Sequence, residues 1–360
     1  MVRLHGPRVD RIAAALNSCM PTRLPDPRRT PRFAGVSTFC RYPLLESLAP
    51  ADVASLDWLV YGVPHDTGVT FRPGARFGPR AIRDASQYVK RYHVAHAVDV
   101  CEALSIADAG DAPVNPYDLP ACIQGIAQWA GALPNGTAQA GLTRLFAVGG
   151  EHTIAYSNMR ATRERLMASG DAKTREGASK GLALVHFDAH LDTVDAVWGG
   201  KWGHASPFRR AIEDGVVDPR AMLSIGIRGP LNSASDLEYA KAQGVRVISA
   251  EDAIEDEGSA RAAMIDFVKE LAGRPAYITF DVDVLDPAFA PGTGTPCPGG
   301  FTAAQAFGLL RRLAGINVVG GDVVEVLPDR DNAGITATFA AHVIFEVLAL
   351  AAVSKRALTQ

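Results

Sequence analysis

The stretch Val185 to Asp192, VHFDAHLD, decides the fold, because it joins a buried strand to a row of metal-binding side chains. Leu182, Ala183, Leu184 and Val185 run into it as an apolar segment of strand length, and Asp188, His190 and Asp192 follow at alternate positions. If the backbone stays extended there, side chains at i, i+2 and i+4 share one face. An acid, an imidazole and an acid then stand in a row at a strand's carboxyl end, where open parallel sheets put their sites. The device recurs in YITFDVDVL, residues 277 to 285, where Asp281 and Asp283 follow another apolar run. With His152 of the GGEH segment at 149 to 152, the two rows make six candidate ligands, four carboxylates and two imidazoles. That is enough for two divalent cations.

Outward from this stretch the chain alternates. Apolar runs at 58–63, 145–148, 222–225, 245–248 and 277–280 read as strands. Between them, helical periodicity predicts helices over 119–129, 153–167, 207–213, 235–243, 260–271 and 303–313, with a terminal one over 335–351. Strands separated by such helical segments mean βα units and a largely parallel sheet. Two weaker segments complete the reading: Ala103 to Ile106 as a short strand, and Ser169 to Lys180, charged and glycine-containing, as a solvated loop. The first strand runs into HDTGVTFRPGARFGPR, residues 65 to 80, which is too long and glycine-rich to be a mere connector. Loops of that kind at a strand's end commonly carry function.

At 360 residues the chain is long enough for a large core, and its 48% hydrophobic and 21% charged content speaks against wholesale disorder. Residues 36–360 read as one α/β domain, preceded by a basic, proline-rich arm over 1–35 that holds Arg3, Arg8, Arg11, Arg28, Arg29 and Arg32. The arm reads as an irregular surface segment able to order against a neighbouring subunit. Asp10 and Asp26 interrupt its basic run, which argues against organelle targeting. A formal net charge of -3 carries no signature of polyanion binding, so nucleic acid is not an expected partner. Five scattered cysteines, Cys19, Cys40, Cys101, Cys122 and Cys297, contain no CxxC pair and argue for reduced thiols in a cytoplasmic protein. No segment approaches ~20 uninterrupted apolar residues. The longest candidate, Val343 to Val353, contains Glu346, so neither export nor membrane insertion is expected.

Two cations ~3.5 to 4 Å apart need bridging oxygens, and carboxylates can bridge where imidazoles cannot. Four Asp and two His leave room for a water between the ions, deprotonated into a nucleophile at neutral pH. The oxygen-rich set suits Mn²⁺; Ni²⁺ and Fe²⁺ are compatible with it, and the lack of thiolates argues against a structural zinc.

On these motifs the sequence resembles the ureohydrolases, the family of arginase, agmatinase and guanidinobutyrase. The matching pieces are GGEH at 149 to 152, HFDAHLD at 186 to 192, HASPF at 204 to 208, FDVDVLDPAFAPGTGTP at 280 to 296 and GGDVVEVLP at 320 to 328, with RPGARFGPRAIR at 72 to 83 pointing to the agmatinase branch. The resemblance implies a three-layer α/β/α fold with a mainly parallel central sheet. It implies a dinuclear manganese site held by His152, Asp188, His190, Asp192, Asp281 and Asp283, with a hydroxide between the ions attacking the guanidinium carbon to release urea and an amine. Asp192 would also relay a proton to the departing amine. Glu325 would bind the guanidinium, a planar cation whose several donors need an acceptor. His204 would serve as proton shuttle or substrate contact. A homo-oligomer, trimer or hexamer, is implied too, and a hetero-oligomer with a paralogous chain stays open.

Departures from the family pattern bear on the substrate. Ala205 stands where glycine is usual, Asp195 where agmatinases commonly have asparagine, and Trp198 and Trp202 crowd the same loop. His65 and Asp66 begin a segment whose first position is usually apolar. These features make His65, Asp66, Asp195 and Trp198 candidate substrate contacts beside His204 and Glu325. Asp66 would suit the ammonium of agmatine, and His65 or Arg72 the carboxylate of guanidinobutyrate. The closing segment RDNAGITATFAAH, residues 330 to 342, looks more like guanidine hydrolase. A compact or N-methylated guanidine, as in metformin hydrolase and with nickel as the metal, is therefore the alternative substrate. A formimino compound is a second alternative. A role as stabilising subunit is a third, against which all six ligands speak.

Overall fold

The computed structural model describes residues 22–136 and 141–359. In chain order its strands are β1 (Trp58–Val63), β2 (Tyr92–His93), β3 (Val98–Asp99), β4 (Ile106–Asp111), β5 (Arg144–Gly149), β6 (Leu182–Phe187), β7 (Val217–Ile227), β8 (Arg246–Ser249), β9 (Pro275–Asp281) and β10 (Asn317–Val324). β2 and β3 form a small antiparallel pair. The other eight make one sheet in the order β4-β1-β5-β10-β9-β6-β7-β8, with every pairing parallel.

Apolar residues on both faces of the central strands dictate the layers. In β6, Ala183, Val185 and Phe187 join a core that includes Ile82, Met264, Leu309 and Val347 from helices on one face. Leu182 and Leu184 join a second core with Met159, Leu166, Phe208 and Ala240 from helices on the other. Alternate side chains along a strand point to opposite faces, so a strand apolar throughout is one covered twice. The result is a three-layer α/β/α fold around a parallel sheet. Phe187 and Phe280 stack with ring centroids 4.9 Å apart, a contact worth ~0.5–1.5 kcal/mol beyond its buried area. It ties together the ends of β6 and β9, from which the acidic residues emerge.

The C-terminal helix, Ile335–Thr359, is longer than the sequence periodicity predicts. A span from Asn332 to Ala357 is long and apolar enough to cross a membrane, yet 78% of its apolar window is buried inside the fold. Its apolarity is consumed by the core. Glu346 interrupts the run and is held there by Arg311 and His93, the latter at 3.0 Å.

Three local expectations are corrected. Residues 169–180 contain the helix Ala172–Ser179, started by Asp171, whose side chain accepts the Thr174 N–H at 2.8 Å. A capping acid here compensates for a weak apolar pattern. Ala103 to Ile106 is not a strand: the helix Val100–Ala103, capped by Asp99, runs into it and β4 begins at Ile106. The strand expected over 222–225 is β7, which runs over eleven residues from Val217 to Ile227. Of the arm, residues 1–21 lie outside the described residues. The remainder bonds to the body through the Thr22 N–H to Cys101 O at 2.8 Å and through Arg32 to the carbonyls of Gln87 and Val89.

Candidate active site

Four adjacent strands, β5-β10-β9-β6, end on one side of the sheet, and the polar residues at and beyond those ends converge. His152 follows β5, Glu325 follows β10, Asp281 closes β9 with Asp283 beyond it, and Asp188, His190 and Asp192 follow β6. All but His190 are buried.

The backbone does not stay extended after β6. Asp188 Oδ1 accepts the His190 N–H at 2.6 Å and bends the chain, and Asp192 takes a left-handed φ of 50°. Asp281 likewise accepts the Asp283 N–H at 2.8 Å, starting a single 3₁₀ turn over Val282–Val284. The two acidic rows are therefore turns capped by their own first acid, and the side chains converge because the chain curls.

The convergence forms two groups. His152 Nδ1 stands 3.1 Å from Asp188 Oδ2, 3.0 Å from Asp192 Oδ2 and 3.3 Å from Asp281 Oδ2. His190 Nδ1 stands 3.4 Å from Asp188 Oδ1 and 3.1 Å from Asp283 Oδ2. Asp188 gives one oxygen to each group. Ligands at right angles around one ion, each ~2.1 Å from it, lie ~3.0 Å apart, so each of these histidine–carboxylate contacts has the spacing of neighbouring metal donors.

A hydrogen-bond chain behind His152 fits the same purpose. Its Nε2–H is donated to Thr279 Oγ1 at 2.8 Å, and the Thr279 hydroxyl is donated to Asp322 Oδ1 at 2.6 Å. The lone pair is thereby left on Nδ1, which has no hydrogen-bond partner among three carboxylates. The four carboxylates carry a charge that two divalent ions neutralise and two imidazoles at most halve. The residues fit a pair of cations: His152, His186 and Asp188 stand close enough together to hold one ion, and Asp188, His190 and Asp283 a second, the two sets sharing Asp188, with Asp192 and Asp281 approaching the first through His152. Replacing Thr279 by Val removes the acceptor for His152 Nε2–H, and metal affinity is expected to fall about 10- to 100-fold. Competition with a chelator measures it; an affinity within twofold of the parent would show that the chain does not orient His152.

These buried side chains press on one another's charges. Burial works against a proton on His152, yet Asp188, Asp192 and Asp281 outweigh it and hold the pKa well above the usual imidazole range. His190 is raised in the same way, its burial overcome by Asp283 and Asp188. Burial, with the charges of Asp283 and Asp188, drives Asp281 up. Asp188 goes the other way: despite burial, the imidazoles of His152, His186 and His190 around it hold it well below the carboxylate range.

Several residues here escaped the sequence reading. His186 approaches Asp188 Oδ2 at 2.8 Å, but its other nitrogen meets Ser224 Oγ at 3.1 Å, so it supports Asp188 from within β6. Glu151 is fully buried beside His152, its Oε2 accepting the Thr153 N–H at 2.7 Å. The GGEH motif was the signal available for it.

A cavity of about 170 Å³ opens beside the cluster, lined among others by Thr70, Asp192, His204, Asp281 and Thr295. Leu231 and Asn232, from the connection after β7, and Asp236, in the first turn of the helix Ala234–Gln243, form its more exposed side. His204 bridges this cavity to Glu325, with Nδ1 3.2 Å from Glu325 Oε1. Burial disfavours the His204 imidazolium, but Glu325 outweighs it and carries the pKa up to about 9. Glu325 Oε1 also accepts the His152 N–H at 2.9 Å, while Oε2 is buried without a partner. Glu325 has a φ of 65°, a strained conformation for a residue with a side chain.

The remaining substrate candidates are turned elsewhere. His65 is buried between Cys122 Sγ and Glu151 Oε1, each 3.4 Å away, and burial pushes its pKa down to about 4. Asp66 is spent on its own loop, accepting the Gly74 N–H at 2.7 Å and the Arg76 side chain. Asp195 pairs with Arg210 at 2.5 Å, and Trp198 is 84% exposed at the tip of a Val197–Gly200 turn. None of the four is among the residues lining the cavity; Glu325 is not either, but unlike them it is bonded to the lining residue His204. The crowding expected from Asp195 and Trp198 is therefore absent from this cavity, because an ion pair and a turn carry both side chains outward.

A family model described as the Arginase family matches residues 56–350. Guanidinopropionase of Pseudomonas aeruginosa is 40% identical over 336 residues, which cover 91% of this chain and 96% of that protein. The mitochondrial agmatinase of Gallus gallus is 37% identical over 323 residues, covering 88% and 86% respectively. The solved structure of proclavaminate amidino hydrolase from Streptomyces clavuligerus superimposes with a TM-score of 0.79 at 35% identity, over 90% of this chain and all of that one.

Proposed function

The chain belongs to the arginase family, and from that premise we propose a manganese-dependent amidinohydrolase whose guanidino substrate ends in an amine. It hydrolyses a guanidino compound to urea and an amine. The observation that carries the reading is the division of Asp188 between two metal groups, with the unpartnered Glu325 Oε2 close by. The oxygen-rich, thiolate-free donor set supports Mn²⁺ over Ni²⁺. When bound, two such ions acidify water and supply a nucleophile at neutral pH.

The protein's own residues then bind and move protons. Glu325 accepts N–H groups of the guanidinium, a charge-assisted pairing. Water adds to the guanidinium carbon and the C–N bond to the tail breaks. Asp192, which belongs to one metal group and also lines the cavity, passes a proton to the departing nitrogen. His204 exchanges protons with the cavity.

The tail is read by charge. A cavity of about 170 Å³ is smaller than the ~300–1,000 Å³ that drug-sized ligands need, so the substrate is compact. No Arg or Lys is among its described lining residues. With the ligand acids balanced by metal and Glu325 by guanidinium, Asp236 is left to face the tail, which favours ammonium over carboxylate. Urea release by the Mn²⁺-loaded protein tests this across agmatine, 3-guanidinopropionate, 4-guanidinobutyrate, guanidine and metformin. Agmatine is expected to have the highest kcat/KM, and Asp236→Asn to lower it roughly fivefold, the worth of a half-exposed ion pair. Preference for a guanidino acid would overturn the tail assignment, and no urea from any substrate would overturn the whole reading.

A cytoplasmic homo-oligomer completes the proposal. The four described cysteines are free and buried, consistent with a reducing compartment. Phe33, Phe71, Phe77 and Tyr117 are each more than half exposed, apolar surface that a second copy would cover.

A further inference from the structure

The loop after β1 and the segment before the helix Pro207–Glu213 are fastened to each other at three points. Gly68 O accepts the His204 N–H at 3.0 Å, the Thr70 N–H is donated to His204 Nε2 at 3.0 Å, and Thr70 Oγ1 lies 2.7 Å from the same nitrogen. The approach is close enough to demand glycine: a Cβ on Gly68 would fall 2.8 Å from Glu151 Oε1 and 3.0 Å from Gly203 Cα.

This contact decides where the His204 proton sits. A backbone N–H can only donate, so Nε2 must present its lone pair to Thr70. The single proton of a neutral imidazole is then on Nδ1, where it faces a carboxylate oxygen of Glu325 that accepts. Each end of the ring enforces the same tautomer. The charge of Glu325 favours a second proton on the ring, and the Thr70 N–H opposes it by meeting Nε2 with a donor, so the contact geometry holds the Nδ1–H form against that pull.

We propose that Thr70 is a positioning residue for this reaction: its N–H and hydroxyl lock His204 in the Nδ1–H form, and His204 in turn orients Glu325. One oxygen of Glu325 is occupied by that hydrogen bond and by the His152 N–H, which leaves Oε2 as the face that receives the guanidinium. The inference rests on the amidinohydrolase reading and adds to it a specific task for the glycine-rich loop at 65 to 80.

The test compares Thr70→Val, which keeps the N–H but replaces the hydroxyl with a methyl, with Thr70→Ser, which restores the hydroxyl. Urea release should fall about 10- to 100-fold in kcat/KM for Val and stay within about threefold for Ser. In a His204→Asn background, Thr70→Val should add less than about twofold, because a residue acting through His204 has nothing left to orient. Equilibrium binding of guanidinium chloride at low millimolar concentration should follow the same ranking without turnover. Val and Ser equally impaired, or independent losses in the double variant, would mean mere packing and overturn the proposal, as would a Val variant within twofold of the parent. An unmodified protein that neither binds guanidinium nor releases urea would instead remove the amidinohydrolase reading beneath it.

Discussion

Replacing Asp188 by Asn is expected to lower kcat about 10³-fold or more and to reduce the bound metal from two ions per chain to one or none. Asp188 is the one side chain whose oxygens serve both groups, Oδ2 at 3.1 Å from His152 Nδ1 and Oδ1 at 3.4 Å from His190 Nδ1. An amide of the same shape keeps one oxygen, loses the charge and turns an N–H₂ toward one of the ions. Losing Lewis-acid stabilisation worth several kcal/mol corresponds to that rate, at 1.36 kcal/mol per tenfold. Elemental analysis of the dialysed protein with steady-state urea release checks both halves. Two ions retained with kcat within tenfold of the parent would show that Asp188 does not join the two sites.

The second large effect is expected from Glu325→Gln, with the metal left in place. Glutamine preserves Oε1 as acceptor for the His152 N–H at 2.9 Å, so the fold and the metal ligands keep their support. It removes the charge and puts an amide where the buried, partnerless Oε2 stands. Removing one partner of a buried charged pair costs about 2–5 kcal/mol, so kcat/KM should drop by roughly 30- to 5,000-fold. Metal content near two ions per chain in the same sample separates this loss from that of Asp188→Asn. A kcat/KM within about fivefold of the parent would remove Glu325 from the guanidinium contact.

The sheet was legible in the sequence because apolar runs of strand length alternate with helical periodicity, and burial on both faces leaves few other solutions. That the six acidic and imidazole residues would meet was legible for a narrower reason: any one aspartate after an apolar run can cap a turn, as Asp188 and Asp281 do, but two such rows and a histidine at the ends of parallel strands have few structural uses together. The means of their convergence was not. An extended row at 188 to 192 requires ordinary strand dihedrals, and the left-handed Asp192 with the bend at His190 replaces it with a turn. The Thr70 contact with His204 was hidden for a different reason. The two are 134 residues apart, and nothing in local spacing pairs a threonine in one loop with a histidine in another. His65 and Asp66 stood out as departures from a family pattern, but a departure marks a change of environment, and here the change is internal bracing with Cys122, Glu151 and Arg76. The helix at 172–179 was missed because a capping side chain carries information that apolar periodicity does not.

The turn after β7 and the helix start beyond it, which supply Leu231, Asn232 and Asp236 to the cavity, have an evolutionary consequence. The reactive groups are rooted in four central strands, where a slip of one residue in register would scatter them, so that part of the gene is under rigid constraint. The rim to which the proposal assigns the substrate's far end comes from the turn after β7 and the first turn of the helix Ala234–Gln243, which can change charge without disturbing a single strand pairing. Under the proposed tail contact, substitutions at Leu231, Asn232 and Asp236 would change which far end is accepted while the residues rooted in the central strands stay as they are.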